Sequence, residues 1–434
     1  MSVKTGITLS EKGIAELSER LGEPSWMRER RLAAYRAYEA MDLPKWDRTD
    51  VSGLSLENLV IYESGAPVDP SSAGGRLREI ASAANGSAHL FIQAGSGRTW
   101  ARLGEELAEK GVVVCDLQTA VREYEELFKE HFMSAVPHDV DKFVALHYAA
   151  VSSGCFIYVP KGVSVELPIE VRHFADEEGL CLFPHVLIVA DRGSEVTVVE
   201  GTESIDGERS RVVSEVVELC PMEGAQIRFA AIQNWGRATY NFTLRRSVLP
   251  RDARVEWVTG DFGGFLSRTH STSELVGSGC EATDLSVFFG DGSQHIDLGI
   301  TMKHIGDHTS SDMVTKGVLA GSARSVYRGL TDIERGARFT SGFQRENTML
   351  LSETARSDAI PGLEIDETEV QAGHAATVVQ VDKVQLCYLM SRGLPRTEAL
   401  KLIVTGFFDP VLQRVPVEGV RAELQAMIDG KMAG

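Results

Sequence analysis

The sequence predicts a mainly β protein, with a β-helix core flanked by helical segments at both ends. Helical periodicity holds for about the first 150 residues, is absent for some 200, and returns after residue 380. The middle consists of short β-branched runs broken by Gly, Asp and Pro, such as "CFIYVPKGVSVELPIEVRHF" and "HVLIVADRGSEVTVVEG". A turn motif also recurs, as Arg192-Gly-Ser-Glu-Val196, Glu223-Gly-Ala-Gln-Ile227, Arg251-Asp-Ala-Arg-Val255 and Ser278-Gly-Cys-Glu-Ala282. These four begin 31, 28 and 27 positions apart, and Gly321-Ser-Ala-Arg-Ser325 and Arg335-Gly-Ala-Arg-Phe339 echo them. A strand–turn unit repeated at near-constant spacing cannot bury its apolar face alone, so successive units stack into a solenoid. The variable period and the lack of a blade signature favour a β-helix over a propeller.

The elements follow in order. "TLSEKGIAELSERLG" offers Ser10 as a helix N-cap and Gly22 as its stop, with Ile14, Leu17 and Leu21 on one face. A second helix, "EPSWMRERRLAAYRAYEAM", begins at Pro24. Residues 42–76 are rich in Pro, Gly, Ser and Asp and read as extended chain with one short strand, "NLVIYES". "GVVVCDL" reads as a strand and "QTAVREYEELFKEHFM" as one helix. Beyond the β region, "DKVQLCYLMSRG" is capped by Asp382 and stopped by Gly393, and "TEALKLIVTG" runs from Thr397 to Gly406. "EGVRAELQAMIDG" supplies a third helix. The expected division is 1–149 mostly helical, 150–380 β-helix, and 381–434 helical. Three short helices bury little by themselves, so Leu386, Leu389, Leu400, Ile403, Phe407 and Phe408 must pack on something. That something is either the chain's own β core or, for part of the face, a partner.

Composition narrows the function. With 44 Lys and Arg against 62 Asp and Glu, the formal charge of −18 opposes binding to nucleic acid or to an anionic membrane. Runs such as "HVLIVA" are far too short to span a bilayer. The N-terminus shows no basic-then-apolar leader, so a cytoplasmic protein is expected. Six cysteines, at 115, 155, 181, 220, 280 and 387, form no C-x-x-C pair and read as small buried hydrophobes. No nucleotide loop, no G-x-S-x-G elbow and no dinucleotide fingerprint is present, so the case for an enzyme is thin. "VPKGV" reads as a Pro-Lys-Gly turn. In "MKHIGDHTSSD", His304 and His308 have the i, i+4 spacing of a helical metal pair, but strand-like surroundings make a turn or an interface the better reading.

Four stretches together resemble the SufB/SufD family of iron–sulfur cluster assembly proteins: "SGCFIYVPKGV", "HTSSDMVTKGVLAG", "TMLLSETARSDAIPGLEI" and "GHAATVVQVDKVQLCYLMSRG". The last two are the specific ones, carrying Asp358, Pro361, Leu363-Glu-Ile365 and His374-Ala-Ala-Thr377 in order. The resemblance implies a right-handed parallel β-helix with helical terminal domains. It implies pairing through the β-helices, as a heterodimer with a SufB-type paralogue or as a homodimer. It also implies an ABC-type ATPase, SufC, bound at the C-terminal helices, which would place nucleotide hydrolysis in the partner. Glu346 matches the position of a SufB cysteine, and Ala375 follows the family histidine where SufB has glutamate. Both departures point to the SufD side of the family, although the thiol that SufD usually carries near this histidine is absent. His374 is thereby the candidate ligand of a transient iron–sulfur cluster shared with the partner. A histidine among thiolates suits a labile cluster, and small neighbours would admit a second chain's backbone. The plain alternative is a buried histidine filling a tight strand-to-helix corner. Two other readings are a SufD-like homodimer that supports iron supply or complex stability without holding a cluster and, remotely, a β-helix carbohydrate-active enzyme.

Overall fold

The computed structural model describes residues 6–62, 78–79, 89–205 and 207–433. Two long sheets face each other. The first sheet contains, in spatial order, Val113–Asp116, Ser153–Val159, Pro184–Ala190, Arg211–Pro221, Thr239–Leu249, Leu266–Leu275, His295–His304, Arg324–Ile333 and Arg356–Ile365. The second contains Arg98–Arg102, His89–Ala94, Ile169–Ala175, Glu195–Ser204, Gln226–Asn234, Arg254–Asp261, Glu281–Gly290, Ser310–Leu319, Thr340–Leu350 and Val370–Gln380. From Ser153 onward the chain alternates between the sheets and every neighbouring pair is parallel, so about eight coils stack into a β-solenoid.

The repeat is one corner of this solenoid. Gly193, Gly224, Asp252 and Gly279 all lie in the left-handed region, at φ 64, 68, 56 and 75. Each is followed by a small residue turned fully inward: Ser194, Ala225, Ala253 and Cys280. A sharp corner needs positive φ, which glycine and aspartate accept most readily. Strand pairing carries the column on through His308 (φ 55) and Phe339 (φ 58), whose rings stack with centroids 4.8 Å apart. Gly321, by contrast, belongs to the opposite corner beside Gly292.

The interior is apolar at the N-terminal end, where Cys155, Ile157, Val186, Ile188, Val217 and Phe229 meet. Its middle is polar, and Glu200, Glu215, Arg245, Asp261 and Asp284 are all buried there. The outer faces are covered separately. Helix Lys142–Ala150 and its neighbours lay Phe143 and Val144 against Val212, Val216 and Phe242 of the first sheet. On the second sheet, helices Arg396–Leu412 and Glu418–Ala433 set Ile403, Val404, Phe408, Leu424 and Ile428 against Ile232, Val258, Val287 and Val314. Each such large side chain stabilises by roughly 1.5–3 kcal/mol.

Local structure departs from the sequence expectation in three places. The N-terminal third is not purely helical. Besides the expected strand at Val113–Asp116 it supplies an antiparallel hairpin, His89–Ala94/Arg98–Arg102, and together these close the apolar end of the solenoid. The expected helix 118–133 is two helices, Leu117–Glu123 and Glu125–His131, broken at Tyr124 with ψ 34. Gly406 does not stop its helix, which continues to Leu412 through Pro410 because Phe408, Val411 and Leu412 are buried beyond it. Pairing of Ile7–Thr8 with Val60–Tyr62 places the short strand, and the remainder of the 42–76 stretch, from residue 63, lies outside the described residues. The caps are where the sequence puts them. Ser10 accepts from Gly13 N, Gly22 sits at φ 66, Asp382 accepts from Val384 N and Gln385 N, and Gly393 sits at φ 95.

Candidate functional site

The solenoid ends differ. Antiparallel strands close the N-terminal end, whereas among the described residues no strand pairs beyond Arg356–Ile365 or Val370–Gln380. Both last strands therefore present a row of free backbone donors and acceptors, the usual template for another chain. His374 sits mid-strand on this edge. Its register partner is Gln344, whose own partner is the fully buried Met313, so the three stand in one column facing the interior. Gln344 Nε2 crosses the interior to donate to Gly362 O at 2.8 Å, so His374 lies over the mouth that this bond spans. The imidazole is exposed, not packed into a strand-to-helix corner, and it borders a groove of about 450 Å3 with Asp312, Phe343, Arg345, Gly373 and Ala375. Arg345 donates to Asp312 at 3.0 and 3.2 Å, and Arg414, just past helix Arg396–Leu412, donates to the same carboxylate at 2.8 Å.

Glu346 is in the next interior column, beneath Ala376. It is 1% exposed, accepts from Thr348 Oγ1, and has its carboxyl pKa raised by burial. The described cysteines do not gather round His374. Cys155 and Cys280 are buried within the solenoid, Cys181 is buried in the outer cluster under the N-terminal helices, and Cys387 is exposed; burial pushes Cys115 and Cys220 up to about 12 and Cys181 and Cys280 to about 11. Such thiols stay protonated and are poor ligands and nucleophiles. Among the described residues no three His, Cys, Asp or Glu side chains converge to hold a metal. What this chain's own geometry offers a metal is one accessible imidazole at an unpaired edge.

The two other histidines separate. His304 is fully buried in the corner, with Nδ1 2.8 Å from Thr309 Oγ1 and Nε2 2.8 Å from Ser311 Oγ, and burial lowers its pKa to about 4. It presents no surface to a partner. His308 is exposed on the outside of the same corner, against Phe339. The i, i+4 spacing thus spans a turn instead of one helical face.

The apolar residues of the C-terminal helices also divide. Leu386, Leu389, Leu400, Ile403 and Phe407 belong to the cluster that docks on the second sheet, so the faces named from the sequence are the covered ones. Lys316 reinforces this docking by donating to Phe407 O at 2.5 Å, with its ammonium 4.6 Å from the Phe407 ring. Arg172 likewise holds Glu423 at 2.9 and 3.1 Å. Exposed instead are Val384 at 79% and Tyr388 at 56%, together on one side of helix Lys383–Ser391, with Met390 at 42% further round that helix and Leu402 at 54% on the next one. The i, i+4 pair Val384/Tyr388 was the available signal, masked because helix Lys383–Ser391 is apolar on most sides.

Comparison with known proteins accords with this architecture. Residues 173–407 match the family described as "SUF system FeS cluster assembly, SufBD core domain", and residues 91–171 match the "SufBD protein N-terminal region". The chain is 33% identical over 436 aligned residues to the iron–sulfur cluster assembly protein SufD of Bacillus subtilis, covering 100% of both. Iron–sulfur cluster assembly SufBD family proteins of Staphylococcus epidermidis and Staphylococcus aureus are 32% and 31% identical, over 98% of this chain and 93% of theirs. With a core match across more than half its length and a SufD among its full-length relatives, the chain belongs to the SufBD family of the SUF iron–sulfur cluster assembly system.

Proposed function

We propose that this chain is the SufD-like scaffold subunit of a SUF complex. Its open last coil pairs with a SufB-type paralogue or a second copy, and its C-terminal helices carry a SufC-type ABC ATPase. The observation that carries the reading is the uncapped edge Val370–Gln380 with His374 exposed at its centre. The exposed i, i+4 pair Val384 and Tyr388 supports the ATPase contact, since exposed apolar side chains that share a helix face mark interaction sites.

In this scheme the iron–sulfur cluster is cargo. His374 supplies one nitrogen ligand, and the thiolates that complete the site come from the partner. A single imidazole at the seam leaves the cluster labile enough to be handed on. The chain itself catalyses nothing, and ATP hydrolysis belongs to the bound ATPase. No described helix is long and apolar enough to cross a membrane.

Two substitutions test the reading in a co-expressed complex. Tyr388→Asp places a charge on the outward helix face and is expected to abolish capture of the ATPase while leaving the fold intact. His374→Ala is expected to leave assembly unchanged and to reduce cluster delivery to an apo acceptor at least tenfold. Unaltered ATPase capture would refute the helix-face contact. Unaltered delivery would favour a SufD-like subunit that supports the complex without holding a cluster.

A further inference from the structure

Residues Trp46–Thr49 form a tight turn lying across the outer face of the first sheet. Thr49 N bonds Trp46 O at 3.4 Å, and Arg48 takes φ 63, a conformation that side chains beyond glycine avoid unless surrounding contacts hold them. Beneath the turn, strand pairing aligns Phe242, Arg268, Asp297, Val326 and Asp358 in one column, one residue from each of five successive coils. The turn touches nearly all of that column. Trp46 packs on Phe242 with ring centroids 5.9 Å apart, and the Arg268 guanidinium lies 4.2 Å from the Trp46 centroid. Thr49 Oγ1 donates at 2.5 Å to Asp297, which is fully buried and also accepts from Arg268 at 2.9 Å and Arg328 at 3.3 Å. Arg328 in turn donates to Asp47 O. Arg48 Nη1 reaches furthest, donating at 2.7 Å to Asp358 on the last coil, where Arg356 also binds the carboxylate at 2.9 and 3.1 Å.

The last coil has a neighbour on one side only, and terminal repeats of a stack open most readily. It is also the coil bearing the unpaired edge. We infer that the Trp46–Thr49 turn is a clasp: it fastens the terminal coil to the N-terminal helices, and Arg48 and Asp358 are positioning residues for the pairing edge. This rests on the reading above that a second subunit docks on that edge. It also gives Asp358 a task that neither the cluster nor the ATPase assigns to it.

Hydrogen–deuterium exchange and sedimentation with the full-length chain test the clasp together. Arg48→Ala and Asp358→Asn are expected to speed exchange across 356–365 about three- to tenfold, leave the helix Glu11–Leu21 unchanged, and weaken pairing several-fold. Arg48→Lys keeps the charge and is expected to restore most of both. Unchanged exchange in 356–365 would overturn the clasp, and faster exchange with unchanged pairing affinity would overturn its positioning role. A wild-type chain that pairs with neither a second copy nor a SufB-type paralogue would overturn the pairing reading and the positioning role with it. The exchange difference would still decide whether the clasp exists.

Discussion

The polar middle of the solenoid makes stability depend on pH in an unusual direction, and Glu215→Gln isolates the cause. Glu215 and Glu200 are buried close together among Asp261 and Asp284, with Arg245 the buried guanidinium nearest in charge balance. Burial first, and then the neighbouring Glu200 carboxyl, push Glu215 up to about 8, while burial pushes Glu200 and Asp284 up to about 7. An unfolded glutamate ionises near 4.5, so between that value and about 8 the folded state binds a proton that the unfolded chain has lost. The stability this group contributes is complete below pH 4.5 and is lost as pH rises through its folded pKa. One such carboxyl has a slope of about 1.4 kcal/mol per pH unit, which gives about 2 kcal/mol between pH 6 and 8 once partial ionisation near the top of the window is included. Glutamine keeps a carbonyl oxygen for Thr243 Oγ1, which donates to Glu215 at 3.0 Å, but carries no titrating proton. Urea unfolding at pH 6, 7 and 8 is the assay. The variant is expected to lose less stability than wild type across that range by about 2 kcal/mol. Parallel curves would refute the reasoning by showing that Glu215 is not the group holding the proton.

Three further expectations follow from burial. The three histidines lowered to about 4, His173, His270 and His304, are neutral when folded, so stability should fall as pH drops from 6.5 towards 4; His304→Gln should flatten that acid limb in the same unfolding assay. A Cβ at Gly317 would lie 1.9 Å from Phe288 Cζ, so Gly317→Ala should destabilise by about 1–3 kcal/mol. Adding Phe288→Leu should recover part of that loss in a double-mutant cycle. Phe408 is fully buried between the C-terminal helices and the second sheet, so Phe408→Ala should cost about 3–5 kcal/mol and expose residues 383–433 to limited proteolysis before the solenoid opens.

Much of the architecture could be read from local chemistry. The corner motif marks the coils because positive φ at one point per turn admits few residue types, and Gly193, Gly224, Asp252 and Gly279 recur where it is needed. The same restriction hid the next two coils, since His308 and Phe339 occupy that position against preference and break the pattern. The helix caps Ser10, Gly22, Asp382 and Gly393 are equally local, each satisfying backbone groups within a few residues. His374 stands out through family resemblance and not through spacing, because a lone histidine among alanines carries no ligand signature.

Turn chemistry and hydrophobic periodicity act over a few residues and need no distant partner, so a stack of β coils between helical ends is written locally in the chain. Which side of each element faces inward depends on the assembled fold. It turned Leu386 and Ile403 towards the sheet and left Val384 and Tyr388 outside, although all four are apolar. It placed His304 inside a corner whose outer surface carries His308, and it enclosed Glu200 and Glu215 where a linear reading sees ordinary surface acids. It also brought Arg48 to Asp358, 310 residues apart in the chain. Those outcomes depend on which coil stacks on which, and strand register sets that stacking for the whole molecule at once.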